Sequence, residues 1–534
     1  MSKKLFEFIL LMLILLIAFE VLAQQSPSLI LNTDYYNATR YNNNRKCART
    51  TDGILMVVWE PNGNPNKEVW YSIYDATFEA WGDPIQLSNS EKGDTGCPGL
   101  VADNKGNIYA CWKQYNNKTP LNDRRDFMFA KWNGAAWSEP VAVESDTGNA
   151  GFGSMALAPD GTIFIAYSDF GNLYGPQNIH ICWSKDDGVT WEHQNVTQFE
   201  ALYGDYIEPC LTHGPHGTMI CAWFDEPDTL NKTDFDEYPL KEIIISVFDG
   251  TTWSEPFIVT SMLSEGDTLS AQFPTMITDS KNRVHVIYTI DENSLHHSLW
   301  DGSQLSAPVR IDESADTLQI GRASLSVDDN DNLHVVWQEQ TIKSEQGNVD
   351  NAFYSISTDG GQTWMPPVQM SNCRAEDGSG HSVEWPSIGR AIRSPIENVF
   401  EGGADVIWVQ YNAASEFGWD LMYYRIPLVS STAVDAHYSP PVDGFTLTQN
   451  YPNPFNSQTA IEFKLPEASK VEMVIYNNLG QKVKHLVNHH LSPGTHTYYW
   501  NGTNRIGAAV PSGIYYYKMS TQKFSVAKEM VFLR

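Results

Sequence analysis

A single unit recurs through most of this 534-residue chain and restricts it to very few folds. It consists of an apolar strand, a short Asp/Gly turn and a second strand ending in an aromatic residue. The copies are Cys47–Trp59, Pro98–Trp112, Met155–Tyr167, Pro209–Trp223, Pro274–Tyr288, Ala323–Trp337 and Pro386–Trp408. In the sixth copy Leu333, Val335 and Trp337 alternate, as on the buried face of a strand. A third strand follows most copies, and a Trp-x-x-Pro signature then opens a fourth. Examples are Trp81–Pro84, Trp137–Pro140, Trp253–Pro256 and Trp364–Pro367, with Leu305–Pro308 a degenerate form. Four strands repeated radially make an all-β β-propeller. Seven copies predict seven blades. Six is the alternative, because the last copy is irregular and has no Trp-x-x-Pro. Ser28–Thr33 reads as a lone strand, which would close the ring if it joined the last blade and covered its open edge.

Two of the third-to-fourth-strand turns share an eight-residue pattern, Ser184-Lys185-Asp186-Asp187-Gly188-Val189-Thr190-Trp191 and Ser357-Thr358-Asp359-Gly360-Gly361-Gln362-Thr363-Trp364. The fixed positions are Ser184, Asp186, Gly188, Thr190 and Trp191, and Ser357, Asp359, Gly361, Thr363 and Trp364. The Asp accepts bonds from backbone N–H groups of the turn, Gly supplies a conformation closed to other residues, and Thr and Trp restart a strand. The pattern resembles the Asp-box, or bacterial neuraminidase (BNR) repeat, of sialidase-like β-propellers. In that family the box is structural and lies away from the active site.

Composition narrows the function. Aromatic residues make up 12% and charged residues 19%, as in a globular β protein. A net charge of −29 argues against a nucleic-acid partner. Residues 1–23 read as a secretory signal peptide, with Lys3 and Lys4 before the apolar Leu5–Leu22 and small residues before Gln24. No later stretch is apolar enough to span a membrane once the signal is removed. Of the seven cysteines, Cys210 and Cys221, or Cys97 and Cys111, are placed to pair across hairpins; buried free thiols are the equal alternative.

The propeller is assigned to residues 24–429 and a Pro-containing linker to 430–443. The rest, 444–534, forms a small immunoglobulin-like β-sandwich of alternating strands. Asn450-Tyr451-Pro452-Asn453-Pro454-Phe455-Asn456, Tyr499-Trp500-Asn501-Gly502 and Pro511-Ser512-Gly513-Ile514-Tyr515 resemble the type A C-terminal sorting domain of the type IX secretion system. That resemblance implies export across the inner and outer membranes. It also implies the secretion machinery as a partner of residues 444–534, and a secreted or cell-surface location.

The longer loops, between strands two and three and between blades, place the binding face on their side of the propeller. Sialidase resemblance implies an arginine on the first strand of the first blade, where Arg45 stands; Tyr424-Arg425-Ile426-Pro427 matches the arginine motif on the wrong strand. Glycoside hydrolysis needs two carboxyl groups across the scissile bond. Glu208, Glu384 and Asp225 are the catalytic candidates at strand ends of that face, with Glu60, Glu226 and Glu339 similarly placed. Arg45, Arg322, Tyr206 and Trp385 are the substrate-binding candidates, and Tyr115, Tyr203 and Trp419 are further aromatics that could stack on sugar. No cofactor is implied, and no metal site. Calcium at Asp328-Asp329-Asn330-Asp331-Asn332 lacks the rest of a binding motif, and this run reads as a turn. Two functions follow. The first is recognition of an extracellular glycan or a surface protein without catalysis, and the alternative is a sialidase-like glycoside hydrolase in the central cleft.

Overall fold

The computed structural model describes residues 27–33, 38–39, 44–60, 67–75, 80–90, 95–115, 125–143, 149–169, 178–197, 208–225, 241–260, 270–314, 318–342, 349–371, 373, 383–389, 403–411 and 419–427 of the first part of the chain. In the second part it describes 446–448, 450, 455–466, 468–477, 482–504, 509–510, 513–521 and 525–532. Residues 1–23 and 430–443, read from the sequence as a signal peptide and a linker, lie outside these residues. The chain divides into two compact units, residues 1–428 and 429–534.

The first unit is a ring of seven antiparallel sheets, each meandering outward from its first strand. Blade 1 is Cys47–Arg49, Leu55–Trp59, Trp70–Asp75 and the outer pieces Ala80–Trp81 and Ile85–Gln86. Blade 2 is Thr95–Ala102, Ile108–Tyr115, Arg125–Trp132 and Val141–Ala142. Blade 3 is Ala150–Leu157, Ile163–Asp169, Asn178–Ser184 and Glu192–Asn195. Blades 4, 5 and 6 begin with Cys210–His213, Ala271–Thr278 and Ile320–Val327 and repeat the pattern. Blade 7 has Val383–Ile388, Gly403–Tyr411 and Trp419–Pro427 from the end of the ring. Its fourth strand is Ser28–Thr33 from the beginning, paired with Trp419–Pro427. The count is therefore seven rather than six, and the irregular last copy lacks a Trp-x-x-Pro because the N-terminal strand takes that place.

Second strands are buried along nearly their whole length, so Trp112, Trp223, Trp337 and Trp408 fill the space between neighbouring sheets. First strands line the axis, where hydroxyls join the blades. Ser154 Oγ accepts Leu211 N–H at 3.3 Å, Ser324 Oγ accepts Ile388 N–H at 3.2 Å, and Ser387 Oγ accepts Lys46 N–H at 3.1 Å. Fourth strands are mostly two residues long, which leaves little edge for another chain to pair with.

Blade 7 meets blade 1 through a buried ion pair. Arg49 donates Nε and Nη2 to the two oxygens of Asp405 at 2.7 and 2.8 Å, while Arg425 Nη1 and Tyr423 Oη reach Oδ1 at 2.9 and 2.8 Å. The Arg425-Ile426-Pro427 sequence thus sits in the ring-closing junction. Burial alone would raise the Asp405 pKa, but Arg49 and Arg425 outweigh it and hold the carboxyl below its ordinary value.

The turns opposite the long loops are built on aspartates. Asp103, Asp279 and Asp328 each accept two backbone N–H groups, from residues two and four positions on, at 2.8–2.9 Å. The Asp328–Asn332 run is such a turn. In the two eight-residue turns Asp186 and Asp359 accept the N–H and hydroxyl of Thr190 and Thr363, and Ser184 and Ser357 accept the N–H of Gly188 and Gly361. These bonds hold Asp186 at about 2, chiefly through the Thr190 hydroxyl. Both glycines have φ near +87° and lie on the third strand of the preceding blade. A Cβ on Gly188 would stand 2.1 Å from Phe129, and one on Gly361 1.9 Å from His297. The turns therefore fasten one blade to the next.

The cysteines are all free thiols, six buried and Cys373 half-buried. Cys210 pairs in register with Ala222 and Cys221 with Leu211, so the two sit diagonally rather than face to face. Burial raises the thiol pKa of Cys111 and Cys210 to about 12.

The second unit is a sandwich of a three-stranded and a four-stranded sheet around Trp500, Tyr517, Phe455 and Phe463. Asn450, which opens the Asn-Tyr-Pro-Asn-Pro-Phe motif, donates its N–H to Tyr517 Oη and its amide to Thr459 Oγ1, both at 2.8 Å.

Asp405→Asn is expected to destabilise the propeller by about 3–5 kcal/mol in urea unfolding, because it leaves Arg49 buried without its charge partner. The Asp405 pKa is depressed on folding, so its contribution is present above the unfolded value near ~3.9 and is lost as pH falls through the lower folded value. Gly188→Ala is expected to cost about 2–4 kcal/mol through the φ and the overlap with Phe129. Adding Phe129→Leu should recover part of that loss.

Candidate functional site

Five blades interrupt the pairing of their first and second strands at one level, on the face of the long loops. The pairs left opposite a single residue are Cys97-Pro98, Gly151-Phe152, Phe273-Pro274, Gly321-Arg322 and Trp385-Pro386. Cys97, Phe273 and Trp385 take φ of +53°, +54° and +50°, a region that bulky residues rarely occupy. Such strain is concentrated at functional sites.

Four blades contribute to one cluster at this mouth. The Arg322 guanidinium of blade 6 lies 4.0 Å from the ring centre of Phe273 of blade 5 and 4.4 Å from that of Trp385 of blade 7. Glu208, immediately before blade 4, is 2% exposed. Its Oε1 accepts Arg322 Nε at 3.0 Å and Nη2 at 2.7 Å, and its Oε2 accepts Nε at 2.8 Å. Both carboxylate oxygens are therefore engaged, and Glu208 sets the plane of a cation held between two aromatic rings.

A second cluster lies across blades 1, 2 and 3. Glu60 directly follows the second strand of blade 1 and accepts Cys97 N–H at 3.1 Å. Burial raises its pKa, against Lys113, Lys46, the Cys97 N–H and Lys67. Lys113 places its amine 5.6 Å from the ring centre of Phe152. Lys46 is wholly buried and donates to Pro98 O. Burial lowers its pKa to about 8, against Cys97, Glu60 and Cys111. Asn44 Nδ2 donates to Cys97 O at 2.9 Å, and Arg45 Nη2 reaches past blade 7 to Leu325 O of blade 6 at 3.3 Å. Asn44 and Lys46 thus join the start of blade 1 to blade 2, and Arg45 joins it to blade 6.

Of the residues singled out in the sequence, Glu208, Arg322 and Trp385 are brought together, while Arg45 bonds the Leu325 carbonyl instead. Asp225 and Glu384 are described only in their backbones, at the end of a second strand and the start of a first strand of this face. Tyr206 lies outside the described residues, as do Tyr203 and Glu226. Glu339 is buried and accepts Trp337 Nε1–H at 2.8 Å. Gln114 and Gln410 do the same for Trp112 and Trp408, which makes this a repeated packing device. Tyr115 stacks under Arg125 at 4.9 Å, and Trp419 packs edge-on against Tyr411.

Phe273, Lys46 and Lys113 were not singled out in the sequence. A signal for Phe273 exists: Cys97, Glu208, Phe273 and Trp385 all immediately precede a proline at the head of a first strand. Among the described residues no three His, Cys, Asp or Glu side chains are grouped to hold a metal ion.

This geometry sits on a known type of fold. The chain is similar in structure to an ulvan lyase of polysaccharide lyase family PL25, with TM-score 0.50 and 13% identity over 74% of this chain and 95% of that one. It is also similar, at TM-score 0.42, to an α-L-arabinanase of Penicillium chrysogenum, with 16% identity over 62% of this chain and 93% of the other. An α-L-arabinofuranosidase of Fusarium graminearum likewise gives TM-score 0.42, with 14% identity over 63% and 95%. Residues 450–524 match the family described as FlgD Ig-like domain. No curated protein matches the chain.

The Lys46 pKa is depressed on folding, so its charge opposes folding below about 8, and that cost falls as pH rises above this value until the unfolded lysine also loses its proton. Between pH 8 and pH 10 the unfolding free energy of the wild type is expected to rise relative to that of Lys46→Met. Urea titrations of both proteins across that range measure the difference.

Proposed function

We propose that this protein is exported and recognises an extracellular glycan at the mouth of its propeller, without catalysis. The observation that carries this reading is the Phe273–Arg322–Trp385 stack fixed by Glu208. Aromatic rings supply flat apolar faces for sugar rings, and a guanidinium supplies directed donors for their oxygens. The strained backbone at Phe273 and Trp385 holds both rings at the mouth, and such order established before binding lowers its entropic cost. The ulvan lyase shares the fold and is itself described as a polysaccharide lyase, which agrees with a saccharide as the ligand here.

A hydrolase in the same cleft needs one carboxyl group to donate a proton and another to attack or to activate water. Glu208 holds Arg322 with both oxygens, an arrangement suited to positioning that cation. This favours recognition over a sialidase-like exo-glycosidase. The two Ser-x-Asp-x-Gly-x-Thr-Trp turns support kinship with Asp-box propellers. The tail from residue 444 supports delivery by a type IX secretion system to the cell surface or medium.

Screening the chain against a glycan array beside a chromogenic glycoside panel tests the reading. Binding without turnover is expected, with affinity reduced at least about tenfold by Trp385→Ala, as for loss of an aromatic anchor. Turnover that disappears in Glu208→Gln or Glu384→Gln would replace this reading with the hydrolase.

A further inference from the structure

We propose that the mouth carries a second subsite, centred on Lys113 between blades 1, 2 and 3, that takes an anionic group, carboxylate or sulfate, of the bound saccharide. This rests on the glycan reading above and specifies the ligand as acidic.

Three observations converge on Lys113. Its amine lies over Phe152, makes no hydrogen bond among the described residues, and acts on Glu60 only through its charge. A cation on an aromatic face keeps its N–H donors available for a further partner, and the ring limits its hydration. The backbone below leaves room for both side chains: a Cβ on Gly96 would stand 2.6 Å from Glu60 Oε2 and 2.9 Å from Lys113 Cε, so a larger residue here would displace them. Among the described residues Lys46, Lys67 and Lys113 all act on the carboxylate of Glu60, whose Oε2 also accepts Cys97 N–H. Three cations thus gather round one described carboxylate in a chain of net charge −29. Such an excess attracts an anion that the rest of the surface repels.

Lys113 belongs to blade 2 and Arg322 to blade 6, so an acidic polysaccharide touching both would span the mouth. Neutral chains would use the aromatic stack alone.

The test compares binding of polygalacturonate, a sulfated galactan and a neutral arabinan to the full chain by calorimetry at two salt concentrations. Tighter binding of at least one acidic polymer, weakening with salt, is expected. Lys113→Met keeps the apolar stem over Phe152 and should weaken that binding about tenfold while leaving the arabinan unchanged; Lys113→Arg should restore it. Gly96→Ala should act like Lys113→Met, and circular dichroism checks that both variants fold. Preference for the uronate or the sulfate polymer identifies the anion. Equal affinity for neutral and acidic polymers, or acidic binding unaltered by Lys113→Met, overturns the subsite but leaves the glycan reading standing. Binding of none of the three overturns both.

Discussion

The ring depends on one buried carboxylate. Asp405 joins the last blade to the first by accepting from Arg49, Arg425 and Tyr423 in a place without solvent. A sheet assembled radially has two free ends, and without a junction each would expose a hydrophobic face and a strand edge. The N-terminal strand Ser28–Thr33 covers the edge, and the ion pair fixes the angle at which the ends meet. Charge fits this task because its geometry is specific, whereas apolar contacts between sheets tolerate sliding.

The level at which the mouth is built follows from that closure. Once seven first strands surround an axis, an extra residue in a first strand has room on the axis side. The interruptions at Phe273, Arg322 and Trp385 use this room to turn side chains toward one another from different blades. Positive φ at two aromatic residues is held in place by the surrounding sheets, which cannot relax without breaking interblade hydroxyl bonds such as Ser324 to Ile388.

The sequence makes the blades legible because each buried aromatic, each aspartate turn and each Trp-x-x-Pro states a local requirement. Even the donated strand could be read, since the last copy lacked a fourth strand and Ser28–Thr33 lacked a partner. The site is less legible. Glu208, Arg322 and Trp385 stand at recognisable strand heads, but their meeting is a property of ring geometry, with 114 positions separating Glu208 from Arg322. Nothing local in Lys46 or Lys113 marks them, because their character comes from meeting Glu60 across blades, Lys46 in full burial and Lys113 at its edge. The cysteines show the same limit: hairpin spacing allowed bridges, and the diagonal register of Cys210 and Cys221 depends on the turn at Pro215–Gly217.

Arg45 and Lys46 tie the start of blade 1 to more than its immediate neighbour in sequence: Arg45 extends past blade 7 to Leu325 O of blade 6, and the wholly buried Lys46 donates to Pro98 O of blade 2. On the glycan proposal, Arg322 and Lys113 stand on separate blades, so a polymer touching both is held through an internal segment. Every stretch of such a polymer would be an equivalent landing place, and many copies of the protein could decorate a single strand.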